Sequence, residues 1–166
     1  MEELTQSRHQ PLVPLDRPRP LVVACPPMRS NVNLSRIVRT ASCCGVARLI
    51  CSGNAKVLAK IARQAGDSMK IEIHRTLPPV LRRFRGEGFT LVGLEQTNRS
   101  ECLYTFRFPR ETVLVVGNER LGIEPEALAL LDHAVEIPVY GLPYAHNAAT
   151  AAAVALYEYC RQYPRG

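Results

Sequence analysis

The chain has 166 residues, of which 46% are hydrophobic and 22% charged, and its formal net charge is +6. This length suits one globular domain with a sizeable core, and the composition excludes a disordered chain. No apolar run approaches the ~20 residues that span a bilayer, and the N-terminal residues lack the apolar stretch of a secretory signal, so we expect a cytoplasmic protein.

The first third of the chain begins with an irregular segment and then shows regular patterns. Residues 1–19 contain Pro and Arg without periodicity and are predicted to form a flexible, basic arm. Leu21–Cys25 is an apolar, β-branched run that indicates a strand. Apolar residues then recur at helical spacing from Leu34 to Cys44, and Gly45 provides a stop, which together predict a helix.

The middle of the chain continues the alternation of strand and helix. Short apolar runs predict three strands, at Ala47–Ser52, Ile71–His74 and Phe89–Glu95. Two segments favour helices, Ala55–Ala65 and Leu77–Arg85. A less regular stretch extends to Arg110.

The last third twice passes from an apolar strand through a tight polar loop into a helix, over Thr112–Leu128 and again over Ala134–Tyr159. The strands throughout lack one-sided alternation, which is typical of strands buried on both faces. The sequence therefore predicts an α/β domain with a mostly parallel sheet and helices on both sides of it.

Both late loops carry polar side chains at a place where α/β proteins bind ligands, the carboxyl ends of the strands. The first loop contains Asn118, Glu119 and Arg120, which form either a site or a solvated turn with a local ion pair. In the second, His146 and Asn147 precede an Ala-rich helix whose first N–H groups are free to bind an anionic group. Asn147 alternatively only caps that helix.

Two polar residues of the first helix complete the set of candidates. Asn33 and Arg39 are six residues apart, so they lie on different sides of a helix unless Asn33 is the N-cap. Arg39 is alternatively an ordinary surface arginine that covers apolar neighbours with its stem.

The cysteines do not suggest a metal site. None belongs to a C-x-x-C pair, so zinc is not expected, and reduced thiols are the simplest interpretation for Cys25, Cys43, Cys44, Cys51, Cys102 and Cys160. The basic residues comprise eighteen arginines and three lysines, which favours contact with RNA or DNA or reflects a GC-rich genome.

Three segments together resemble a known family. NLSRIVRTASCCG, LVVGNERLGI and VEIPVYGLPYAHNAATAAAVAL are similar, in the usual order, to the signature motifs of the SpoU/TrmH family. These are S-adenosylmethionine-dependent RNA ribose 2′-O-methyltransferases of the SPOUT class. The resemblance covers roughly Leu21 to Arg161, and FTLVGLEQTNRS is also similar to the tRNA-guanosine members.

The resemblance implies a fold, a cofactor and an assembly. Residues 20–166 would form one SPOUT-type domain whose C-terminal part is tied in a deep trefoil knot, and the chain would function as a homodimer without a metal. S-adenosylmethionine would be held largely by backbone groups in a pocket whose residues, by motif position, are Leu94, Gly117, Ile137, Leu142 and His146.

The resemblance also implies catalytic roles. Arg39 matches the arginine that activates the ribose hydroxyl, either as a base or electrostatically, and Asn33 matches the asparagine that helps to place it. Glu119 and Asn147 match the acid and the amide of the later motifs. The substrate would be tRNA, with rRNA or a tRNA wobble nucleotide as alternatives, and a catalytically silent, knotted RNA-binding protein is the competing interpretation.

One motif departs from the family pattern. Where relatives commonly have Ser-Leu-Asn, this chain has Ala145-His146-Asn147, which removes a hydroxyl and adds an imidazole. RNA capture would fall to surface arginines, with five candidates: Arg82, Arg83, Arg85, Arg107 and Arg110.

Overall fold

The computed structural model describes residues 3–7 and 10–166 of the chain. Its strands are β1 (Arg19–Cys25), β2 (Val46–Ser52), β3 (Lys70–His74), β4 (Thr90–Leu94), β5 (Glu101–Cys102), β6 (Thr112–Val116) and β7 (His133–Glu136). Its helices are α1 (Asn31–Cys43), α2 (Ala59–Ala62), α3 (Ala65–Ser68), α4 (Pro78–Gly86), α5 (Pro125–Leu128) and α6 (Ala148–Gln162).

The strands form one sheet in the order β3-β2-β1-β6-β4-β7-β5. Each pair of neighbouring strands runs parallel, so the predicted α/β class with a parallel sheet is confirmed. Because parallel strands run in the same direction, the carboxyl ends of β4, β6 and β7 lie at the same edge of the sheet.

Both faces of the sheet are buried because successive side chains of a strand point to opposite sides. In β1, Leu21 and Val23 enter the larger core, which α1 and α6 cover. Val22 and Ala24 enter the second core, which α4 and α5 cover. Each fully buried aliphatic side chain contributes about 1.5–3 kcal/mol, so the two cores hold the strand from both sides, as predicted.

The two long helices begin at polar caps. Ser30 is the N-cap of α1, and its hydroxyl accepts a hydrogen bond from the Asn33 backbone N–H at 3.2 Å. Asn33 is therefore not the N-cap and lies in the first turn. Asn147 is the N-cap of α6, where its side-chain oxygen accepts from the N–H groups of Ala149 and Thr150.

Three details differ from the sequence-based expectation. The helix predicted over Ala55–Ala65 is replaced by the single turns α2 and α3, which Arg63 separates with a φ of 54°. The last predicted strand stops at Glu136 because Pro138 has no N–H to extend the ladder. The two-residue strand β5 was missed, since its pairing with β7 leaves no periodic signal in so short a segment.

The remaining described features concern the ends and the polar clusters. At the end of the predicted arm, the Asp16 carboxylate pairs with Arg165 at 3.0 Å, and β1 already begins at Arg19. Within residues 3–7 and 10–166, no helix is long and apolar enough to cross a membrane. The same residues contain no group of three or more His, Cys, Asp or Glu side chains placed to hold a metal ion.

Candidate functional site

A cleft of about 260 Å³ opens where β4, β6 and β7 end. Its walls come from the two late loops and from the start of α6, which is the position at which α/β proteins bind ligands. It is lined by Leu94, Glu95, Gln96, Val116, Gly117, Asn118, Glu119, Arg120, Gly122, Glu136, Ile137, Ala145, His146, Ala148 and Ala151.

The loop from Gly117 to Gly122, which we call the first loop, is closed by its own hydrogen bonds. Asn118 and Gly122 exchange two backbone hydrogen bonds, of 2.9 and 3.1 Å. The Asn118 side-chain oxygen accepts from the N–H groups of Arg120 and Leu121, and its amide donates to the Pro27 carbonyl at 2.7 Å. Hydrogen bonds within the protein therefore fix the conformation of the first loop, which forms one wall of the cleft.

Glu95, which the sequence analysis did not single out, anchors the end of the same loop through hydrogen bonds. One carboxylate oxygen accepts from the Ile123 N–H at 3.1 Å, and the other accepts from the Gln96 N–H at 3.0 Å. A Cβ added to Gly117 or Gly122 would come within 2.8 or 2.5 Å of this carboxylate and would displace it, and the φ of +67° at Gly122 also favours glycine there. The available signal was the cost of an acidic residue at the end of a buried strand.

Glu119 joins the first loop to the start of α1. Its carboxylate accepts hydrogen bonds from the backbone N–H groups of Arg29 and Ser30, at 2.9 and 3.0 Å. It also accepts from the Asn33 side-chain amide at 3.0 Å. The Asn33 oxygen in turn accepts from the Asn147 amide at 3.3 Å. Three residues predicted as catalytic, Asn33, Glu119 and Asn147, thus form one hydrogen-bonded chain beside the cleft.

The environment of Glu119 keeps its carboxylate charged. Burial alone would raise the pKa of Glu119, but hydrogen bonds from Asn33, from its own backbone and from the N–H groups of Arg29 and Ser30 outweigh this effect. The net pKa of Glu119 therefore lies below its ordinary value of 4.5. A carboxylate that is engaged by three donors and holds its proton weakly is a poor general base.

The loop from Tyr140 to His146, which we call the second loop, is exposed throughout. It borders an open hollow of about 600 Å³, which shares Gln96, Glu136 and Ile137 with the cleft. Of the five residues predicted to bind the donor, Leu94, Gly117, Ile137 and His146 line the cleft and Leu142 lines the hollow. The structure thus brings these five residues to one continuous surface.

Arg39 lies apart from this surface. It follows Asn33 by six residues, about 9 Å along the axis of α1. It is exposed and borders a separate hollow with residues of α2, α3 and the end of α1. The side chains of Arg36 and Arg39 make no hydrogen bond or ion pair with any other residue of the described ranges. Within one chain, Arg39 is therefore not part of the Asn33–Glu119–Asn147 cluster.

Four of the five arginines predicted to capture RNA have local partners. Arg82 pairs with Glu126 at 2.9 Å and Arg85 with Asp132 at 2.7 Å. Arg83 lies 3.7–3.8 Å from Glu87 and Glu72, and Arg110 donates to the Gly166 carbonyl and stacks over Tyr163. Because these four side chains already have partners within the chain, they are weaker candidates for RNA contact than the sequence suggested. Arg107 has no such partner among the described residues.

Comparison with known proteins identifies a family for this geometry. The sequence profile of the SpoU rRNA Methylase family matches residues 20–157. The tRNA (guanosine(18)-2′-O)-methyltransferase of Escherichia coli is 29% identical over 133 residues, which cover 78% of this chain and 58% of that protein. The chain therefore spans little more than half the length of this curated relative.

Solved structures support the same relationship. The Aquifex aeolicus TrmH/SpoU tRNA modifying enzyme superposes with a TM-score of 0.84 at 30% identity, covering 90% of this chain and 78% of that one. The SpoU methyltransferase AviRb from Streptomyces viridochromogenes, solved in complex with the cofactor AdoMet, gives 0.74 at 30% identity, covering 90% and 63%. A protein studied for 2-OH methylation of C/U34 on tRNA gives 0.72 at 25% identity, covering 87% and 96%.

Proposed function

The chain belongs to the SpoU rRNA methylase family, and from this premise we propose that it transfers a methyl group from S-adenosylmethionine to a ribose 2′-hydroxyl of RNA. The observation that carries the proposal is the cleft at the carboxyl ends of β4, β6 and β7, with the Asn33–Glu119–Asn147 cluster at its side. We further propose that tRNA is the substrate class, that the domain comprises residues 20–166 behind an arm of residues 1–19, and that the protein works in the cytoplasm.

The residues of the cleft fit the proposed methyl donor. Gly117 and the small side chains of Ala148 and Ala151 leave backbone edges accessible, which suits a ligand held mainly through main-chain hydrogen bonds. The apolar side chains of Leu94 and Ile137 supply flat walls, each only 7% exposed. When bound, S-adenosylmethionine would supply an electrophilic methyl group on a sulfonium ion.

The chain's own residues supply orientation and electrostatics. Glu119 holds Asn33 and the start of α1 in place, and Asn33 presents its amide between Glu119 and Asn147. Correct placement of the ribose oxygen in line with the transferred group supplies much of the rate enhancement in such a reaction. We assign Arg39 the electrostatic role, because a guanidinium stays charged and stabilises the oxyanion that develops on the ribose as the hydroxyl proton passes to water.

Arg39 can fill this role only if it approaches a cleft from a second copy, and we therefore infer a homodimer with shared sites. The exposed position of Arg39 on α1 supports this arrangement, as does the exposed Tyr157 on the neighbouring helix α6. The knot that the family resemblance implies in the C-terminal segment belongs to the same proposal.

Donor binding is the first test of the proposed function. Isothermal calorimetry of the purified protein with S-adenosylmethionine, and with its demethylated product, should detect one site per chain. If neither compound binds, the methyltransferase assignment is wrong. Binding without methyl transfer to any RNA fraction would instead support a silent RNA-binding protein.

The substrate is identified by incubating the protein with labelled donor and separate tRNA and rRNA fractions, followed by nucleoside mass spectrometry. We expect 2′-O-methylguanosine in tRNA. The structural similarity to the C/U34 protein, with a TM-score of 0.72 over 96% of that chain, favours a second candidate, the tRNA wobble nucleotide. That candidate predicts 2′-O-methylcytidine or 2′-O-methyluridine, so the modified base distinguishes the two.

Shared sites are tested by mixing defective chains. We expect Arg39→Ala to retain donor binding and to lose methyl transfer, whereas Arg36→Ala, which removes the same charge one turn earlier, should retain transfer. Coexpression of Arg39→Ala with Glu119→Ala should restore about a quarter of wild-type activity, because half of the dimers then contain one intact site. No restoration would contradict the shared site.

A further inference from the structure

The second loop carries the most exposed aromatic side chains of the described residues. Tyr140 is 91% exposed and Tyr144 is 79% exposed, with Leu142 between them at 76%. Large rings are normally buried at least in part, because each provides 150–250 Å² of largely apolar surface. Two such rings on one short loop therefore indicate a binding surface for a ligand or a macromolecular partner.

The position of these rings relates them to the cleft. Tyr140 and Tyr144 line the hollow that shares three residues with the cleft, and the Gln96 amide donates to the Tyr144 carbonyl at 3.4 Å. Gln96 lines both cavities, so it links the second loop to the floor of the cleft. A chain whose ribose enters the cleft would pass its neighbouring nucleotides over this loop.

The charge around the cleft favours a nucleic acid over a protein as the occupant. Arg120 lies on the opposite wall, is exposed, and makes no ion pair with any acidic residue of residues 3–7 and 10–166. Three exposed side chains bury less than the roughly 800 Å² per partner that a stable protein interface needs. A stacked base beside an arginine-bound phosphate requires far less area.

We propose that Tyr140 and Tyr144 stack on unpaired nucleobases next to the methylated nucleotide of a single-stranded RNA segment. The inference rests on the proposed function, because it places RNA in the cleft. Stacking on an aromatic ring tolerates any base, so the two tyrosines act as positioning residues and do not select the target base.

The test separates base stacking from backbone charge with two probes. One is a fluorescein-labelled twelve-nucleotide oligoadenylate, and the other is an abasic ribose-phosphate oligomer of the same length and charge. Affinities are measured by fluorescence anisotropy for wild type, the double variants Tyr140→Ala/Tyr144→Ala and Tyr140→Phe/Tyr144→Phe, and the control Tyr104→Ala. Tyr104 is 51% exposed and lines neither cavity.

We expect the double alanine variant to bind oligoadenylate at least about 30-fold more weakly than wild type, since each lost ring should cost about 5-fold or more. It should bind the abasic oligomer as tightly as wild type does. The double phenylalanine variant and Tyr104→Ala should bind both probes like wild type. An equal loss for both probes, or no loss for oligoadenylate, would overturn the proposal.

Two further measurements exclude other roles for the tyrosines. Weaker binding of S-adenosylmethionine by the double alanine variant would place the rings in the donor pocket. A change in sedimentation from dimer to monomer would place them in a protein interface, and either result overturns the stacking role. If oligoadenylate binding depends on the tyrosines but S-adenosylmethionine does not bind, the proposed methyltransferase function is wrong. The proposal that the second loop binds nucleobases is then still supported.

Discussion

The two loops that enclose the cleft differ in what determines their shape. In the first loop, Asn118 and Gly122 close a backbone bridge, and Glu119 accepts three hydrogen bonds from the start of α1. In the second loop, Tyr140 to His146, the described residues provide one hydrogen bond, from Gln96 to the Tyr144 carbonyl. The conformation of the first loop is therefore fixed by hydrogen bonds within the folded chain, whereas the second loop leaves its side chains exposed for a ligand. Substitutions in the first loop should lower stability and activity together, and substitutions in the second should mainly lower binding.

The largest effect is expected from Glu119→Ala. Loss of the carboxylate leaves three donors around α1 without their acceptor, and hydrogen bonds to charged groups are worth about 1.5–3 kcal/mol each in protein interiors. Because Glu119 is partly exposed, we expect the free energy of unfolding to fall by about 3 kcal/mol in total. Displacement of Asn33 should reduce methyl transfer about 100-fold.

Urea denaturation and initial rates measure both effects, and Glu124→Ala is the matched control. Glu124 lies on the same segment but is exposed and makes no side-chain cap to α5. If the two variants unfold with the same free energy, the Glu119 cluster does not stabilise the first loop.

A pair of glycine substitutions compares the two loops directly. Gly122 has a φ of +67°, and an added Cβ would lie 2.5 Å from the Glu95 carboxylate, which is itself anchored to the Ile123 N–H. We expect Gly122→Ala to cost about 2–3 kcal/mol, the sum of left-handed backbone strain and a weakened hydrogen bond. Gly141→Ala meets no atom within 4 Å. It should be neutral or stabilise by up to about 1 kcal/mol through the unfolded chain.

Thermal or urea unfolding of both glycine variants decides the comparison. Equal destabilisation by the two substitutions would show that the second loop is as strongly determined as the first.

A smaller effect is expected at Asn147, which joins the end of the second loop to α6. Asn147→Ala should cost about 1 kcal/mol by removing the N-cap. Asn147→Ser should nearly restore stability, because serine caps a helix about as well as asparagine. Its shorter side chain cannot reach Asn33, so methyl transfer should remain low. A fully active Asn147→Ser enzyme would show that the contact with Asn33 has no role in the reaction.

The sequence predicted this architecture where the signal is local. Leu21–Cys25 and the other apolar runs formed strands because a parallel sheet buries both faces. The two loops came together because parallel strands end at the same edge. Asn147 was recognisable as a cap because Ala-rich helical sequence follows it directly.

The contacts that join distant segments could not be predicted from local patterns. Asn33 and Glu119 are 86 residues apart, and Glu95 meets the Ile123 N–H across 28 residues. The predicted helix at Ala55–Ala65 is interrupted at Arg63, whose positive φ no propensity indicates. The only sequence feature that indicated the position of Arg39 away from the cleft was its spacing of six residues from Asn33.

The smallest expected effect is a pH dependence that belongs to the first loop alone. Because hydrogen bonds hold the pKa of Glu119 below its ordinary value of 4.5 in the folded chain, this group stabilises the fold fully above that value. The contribution is lost as pH falls through the lowered folded pKa of Glu119, where the carboxylate is protonated in both states. The difference in unfolding free energy between wild type and Glu119→Gln should therefore be constant from pH 7 to about pH 6 and shrink progressively below 4.5.

Urea denaturation at stepped pH measures this difference. Gly141→Ala is the control, since a non-ionising change in the second loop should shift stability equally at every pH. A wild-type advantage over Glu119→Gln that stays unchanged under acid conditions would mean that the first loop is not held by the Glu119 charge.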